Sequence, residues 1–74
     1  MTDPLEIFWD AILSREPAKI SAAYRSLAPQ ERMDTWAHLT KMITEEGWHP
    51  EQRLSAETAL QTIQNFFGIP TRNA

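Results

Sequence analysis

The apolar residues of this 74-residue chain return every three to four positions, and no segment alternates with a period of two. At ~100° per residue, Pro17, Ile20, Ala23, Tyr24 and Leu27 fall on one stripe. Met33, Trp36, Ala37, Leu39, Thr40 and Ile43 form a second, and Ala56, Ala59, Leu60, Ile63, Phe66 and Phe67 a third. Ahead of them, Leu5, Phe8, Trp9, Ile12 and Leu13 make a fourth. Each stripe is expected to be the buried face of an amphipathic helix.

Proline marks where these helices begin. Pro4, Pro17, Pro29 and Pro50 stand in DPLE, EPAK, APQE and HPEQ. At a first helical position a proline loses nothing, since that N–H has no intrahelical partner and the fixed φ already suits a helix. Asp3 with Glu6 completes a capping-box pattern, and Glu31 and Gln52 hold the same slot after Pro29 and Pro50. Helices are predicted at 4–14, 17–27, 29–46 and 50–67, the third stopped by Gly47 and the fourth by Gly68 with Pro70 beyond. The fold class is all-α: a compact small bundle of four helices joined by short turns, in one domain over 1–70 with a frayed tail at 71–74. Two short and two long helices favour irregular or partly orthogonal packing over a symmetric up-down bundle. Trp36, Ile43, Leu60, Ile63 and Phe8 are the predicted mutual core.

Composition narrows the setting. The chain has no cysteine, hence no disulfide and no thiolate metal ligand, which suits a reducing cytoplasm. The start, MTDPLEIFWDAIL, is acidic before its apolar residues, and no long apolar run follows, so neither a signal peptide nor a membrane span is expected. Ten acidic against seven basic residues argue against nucleic acid and anionic lipid as partners.

The chemistry of the side chains points away from catalysis. Two histidines, one tyrosine and two isolated glycines offer no nucleophile with a base and no phosphate cradle. His38 reads as a solvent-side residue one turn after Asp34, and His49 as the N-cap before Pro50. No spacing fits a metal site, so no cofactor, metal or catalytic residue is expected. The alternative is a nucleic-acid-binding or regulatory helix-turn-helix-like module, because KISAAYRSLAPQERMDTWAHLTK joins two helices by a short turn with Arg25 and Arg32 near the corner. Charge stands against it: residues 29–46 carry two basic and four acidic side chains.

The first helix carries more apolar surface than one packing face requires. Ile7 and Ala11 lie beyond its main stripe, so about 240° of its circumference is apolar and only Glu6, Asp10 and Ser14 form a polar wedge. Such a helix is either central in its own fold or covered by something else. Trp48 precedes a cap, where it either staples onto the first turn of the fourth helix near Leu54 or forms a partner-facing patch with it. The candidate partner-binding residues are Ile7, Phe8, Ala11, Trp48 and Leu54. The function they suggest is a non-enzymatic protein-interaction module, either self-associating through the first helix or holding another protein.

Overall fold

The computed structural model describes residues 3–68; the tail predicted at 71–74 lies outside them. The fold is all-α, with helices α1 (Pro4–Ile12), α2 (Pro17–Arg25), α3 (Pro29–Thr44) and α4 (Pro50–Phe67), and no strand among the described residues.

All four helices start on the expected prolines, but the caps differ. Asp3 accepts the Leu5 N–H at 2.9 Å without a reciprocal bond from Glu6, and at α3 the Glu31 carboxylate accepts the Ala28 N–H at 2.8 Å. Only α4 is bonded in both directions: His49 Nδ1 accepts from the Glu51 N–H at 3.1 Å, while Gln52 Oε1 accepts from the His49 N–H at 3.3 Å. Each cap satisfies a first-turn donor that the helix itself leaves unpaired.

The first three helices end two residues before the predicted boundaries, because those residues are needed to reverse the chain. After α1, Ser14 Oγ donates to the Ala11 carbonyl at 2.7 Å and accepts from the Glu16 N–H at 3.2 Å, and Arg15 takes a left-handed φ of +64°. After α3, Glu45 is already extended and Gly47 has φ +99°, a value glycine adopts without steric cost. Arg53 on α4 donates to the Ile43 carbonyl at 2.8 Å, satisfying one of the open carbonyls in the last turn of α3.

The helices form a body 34 × 32 × 18 Å, about two helix layers thick. The central element is α4, packed most extensively on α3 and then on α2, while α1 packs chiefly on α2 at the edge. Consecutive helices α1–α2 and α3–α4 thus pair as hairpins. The α2–α3 junction, although only three residues long, is not among the closely packed pairs. Ile12, Ile20, Tyr24, Leu39, Met42, Ala56, Ala59 and Ile63 make the buried core. The inner face of α4 is built from small residues, Ser55, Ala56, Ala59 and Thr62, which let neighbouring helices approach closely.

The expected core of Trp36, Ile43, Leu60, Ile63 and Phe8 is corrected in part, since only Ile63 is fully buried. On α3 the buried face is Thr35, Leu39 and Met42, roughly a quarter turn from the stripe centred on Trp36. Trp36, Ile43 and Leu60 are half-buried and line a shallow groove between α3 and α4, and Ala37 is exposed. Phe66 is also outside the core, 62 % exposed near the end of α4.

Around Tyr24 the far end of the core is closed by a cation. The Arg32 guanidinium lies 5.4 Å from the Tyr24 ring centre and 5.3 Å from that of Phe67, and the two rings are 5.0 Å apart. Burial pushes the Tyr24 phenol above its ordinary pKa, with Arg32 acting in the opposite direction.

Candidate docking surface

The sequence of α1 places Phe8, Trp9 and Ile12 toward the body within one and a half turns, and this packing sets what remains outside. Ile12 is buried completely, Phe8 and Trp9 are half-buried against the core, and their rings meet edge to face at 5.2 Å. Two apolar side chains are left on opposite flanks of the helix: Leu5 is 63 % exposed and Ile7 56 %.

On the Ile7 flank a groove runs between α1 and α2. Ile7, Phe8 and Ala11 form one wall, and Ala22, Ala23 and Ser26 the other, with Lys19 at the margin. Lys19 is held to Glu16 at 3.0 Å. Small residues on the α2 wall leave the groove wide enough for an apolar side chain from outside.

On the Leu5 flank the inward direction of α1 opens onto a second groove. Its floor is Leu5, Phe8, Trp9 and Leu27, and its far wall carries Glu31, Asp34 and Thr35 of α3. An adjoining hollow shares Leu5 and Trp9 and adds Asp3 and Glu6. The residues lining these two hollows include no Lys, Arg or His.

Of the five residues singled out from the sequence, the fold gathers Ile7, Phe8 and Ala11 on one groove. Trp48 lies elsewhere, half-buried on the core with its ring 6.0 Å from that of His38. The staple position, one turn into α4, belongs to Arg53, and Leu54 beside it is 49 % exposed. His38 is exposed as expected, but its neighbours differ from expectation. Asp34 accepts from Gln30 Nε2 at 3.0 Å, while the His38 ring stands 4.9 Å from Trp9 and 6.0 Å from Trp48. It thereby links α1 to the lead-in of α4. Periodicity could not locate this contact, because it depends on how α1 crosses α3.

Among the described residues, four of the six Lys and Arg side chains, Arg15, Lys19, Arg32 and Arg53, are engaged within the fold. Arg15 donates through Nε to Ser55 Oγ at 3.0 Å and through Nη2 to the Glu51 carbonyl at 2.9 Å and carboxylate at 2.7 Å. That hydrogen bond, reinforced by the charge of Arg15, lowers the Glu51 pKa. Arg32 faces two aromatic rings and Arg53 the end of α3. Among the described residues no three His, Asp or Glu side chains converge as metal ligands, and no helix is long and apolar enough to cross a membrane. No family model, curated protein or solved structure matches the chain.

Proposed function

We propose that the protein is a non-enzymatic, cytoplasmic interaction module that works through the flanks of α1, binding another protein or a second copy of itself. The observation that carries this reading is the exposure of Leu5 and Ile7 on opposite sides of one edge helix, each beside a groove that half-buried Phe8 lines, joined on the Leu5 side by Trp9. A monomer of this size has little stability in reserve, and large apolar side chains beside open grooves are surface that association would remove from water. The histidines serve the fold, one by capping α4 and the other by setting its ring tilted against one indole and edge-on to another. At the α2–α3 corner Arg32 is committed to two aromatic rings and the Arg25 carbonyl, which leaves Arg25 to face solvent there and weighs against phosphate binding at that corner.

The test compares wild type with Leu5→Glu and Ile7→Glu, both exposed positions. Immobilised protein is used for capture of partners, and sedimentation equilibrium at tens of micromolar measures self-pairing. The expected result is a partner or dimer released by at least one variant while both variants keep the wild-type helicity and melting midpoint. Complexes indifferent to both substitutions, or variants that unfold, overturn the reading. A two-fold α1 pairing would set Glu6 and Asp10 of each copy near those of the other, so a dimer of this kind tightens as salt screens them.

A further inference from the structure

The groove on the Leu5 flank has a chemical character that the Ile7 groove lacks. Its floor is apolar and aromatic, and carboxylates stand on both banks: Asp3 and Glu6 on the α1 side, Glu31 and Asp34 on the α3 side. All four residues are exposed, and no salt bridge within the described chain involves any of them. Helix α1 itself contains no basic residue. Four carboxylates and no cation line these hollows, a distribution of charge that favours a ligand of opposite sign.

We propose that this groove docks a cationic amphipathic helix of another protein, with its apolar side chains on Leu5, Phe8 and Trp9 and its lysine or arginine side chains between the two acidic banks. The proposal rests on the reading of α1 as an interaction surface and names the partner for one flank. An amphipathic helix is the fitting shape, because anchors at i, i+3, i+4 and i+7 lay a narrow apolar ridge into a groove and leave charges on either side of it. A second copy joined α1 to α1 across this flank is the wrong occupant, since it would bring Asp3 and Glu6 against their own equivalents.

The probe is an amidated helical peptide of leucine and lysine with leucine at that spacing, set beside a counterpart with glutamate for every lysine. Each is titrated into the isotope-labelled full chain and followed by amide and indole N–H resonances. The lysine peptide is expected to shift Leu5, Phe8, Trp9 and Leu27 saturably. Binding should weaken at least about tenfold in Glu6→Lys/Asp34→Lys and fall with rising salt. Both substitutions avoid the capping residues Asp3 and Glu31, so the variant is expected to keep its fold, which its spectrum reports directly. Leu5→Asp should abolish the shifts at an unchanged melting midpoint. If the glutamate peptide shifts the same resonances as strongly, or the charge-reversed variant binds the lysine peptide as well as wild type, the cationic partner falls while α1 stands as an interaction surface. If neither peptide moves any α1 resonance and Leu5→Glu and Ile7→Glu also leave every complex intact, both readings fall together. If wild type dimerises and Leu5→Asp alone dissolves the dimer, the occupant is a second copy and the proposal is wrong.

Discussion

Leu5 and Ile12 stand seven residues apart on one stripe of α1, yet Ile12 has no exposed surface and Leu5 keeps 63 % of its own. Seven residues are close to two full turns, so the two side chains leave the helix in nearly the same direction. The difference lies in what they meet: Ile12 enters the packed core, whereas Leu5 borders an open groove. Ile12→Ala should therefore cost ~2–5 kcal/mol in urea unfolding, and Leu5→Ala no more than about 0.5 kcal/mol. A comparable loss at Leu5 would mean that the groove is closed in solution.

That pair also shows what the sequence could and could not reveal. Helix starts are local, a matter of a proline, a cap and one turn, and all four were legible. Which face a helix buries is not local, because it depends on the helices lying to either side. Thr35 and Thr62, polar by type, are buried, while Trp36 sits on a flank and Phe66 at an end. At the candidate site, Ile7 stands off its helix's stripe, so its surface asked for an explanation from spacing alone. Leu5 lies on the stripe, and only the crossing of α1 with its neighbours leaves it exposed. The four carboxylates around it come in two pairs, Asp3 with Glu6 and Glu31 with Asp34, which the chain order keeps 25 positions apart at the nearest.

Arg15 carries both a strained backbone and a strap across the fold. Its φ of +64° disfavours any side chain bearing a Cβ, while its guanidinium ties the α1–α2 corner to Ser55 and Glu51. Both Arg15→Ala and Arg15→Gly remove the strap, but only glycine relieves the backbone. The glycine variant should be the more stable of the two by about 1 kcal/mol in chemical denaturation. Equal midpoints would show that the turn relaxes when the guanidinium is removed.

Glu51 gives the acid limb of stability a contribution of known sign. Its folded pKa is lowered, first by the hydrogen bond from Arg15 and then by the charge of that residue. Its stabilisation is present above the unfolded carboxylate pKa and is lost as pH falls through the folded value. Glu51→Gln should thus be less stable than wild type near neutrality and converge with it toward low pH. Parallel stability curves from pH 7 to 2 would refute this.

Tyr24 acts in the opposite sense at the alkaline end. Burial raises its folded pKa, so its contribution is complete below the unfolded phenol value and is lost as pH rises beyond about 10. Tyr24→Phe keeps the ring against Phe67 and Arg32 and gives up only the long 3.4 Å bond to the Arg32 carbonyl. It should melt close to wild type at neutral pH and decline less above pH 10. An alkaline decline as steep as that of wild type would assign the effect to other groups.

His38 provides the final prediction, because it ties the proposed docking helix to the rest of the fold. A histidine paired only with a neighbouring carboxylate on the surface could be removed at almost no cost. Here the ring bridges Trp9 on α1 and Trp48 before α4, and aromatic pairs of this kind contribute about 0.5–1.5 kcal/mol each when well packed. As His38 is exposed, the lower part of that range applies. His38→Ala should lose about 1 kcal/mol, weaken the near-ultraviolet circular dichroism of the indoles, and speed amide exchange in α1 more than in the buried α4. His38→Phe should restore all three. If His38→Ala exchanges and melts like wild type, α1 is held by Phe8, Trp9 and Ile12 alone, and the indole–imidazole contacts carry no weight in positioning it.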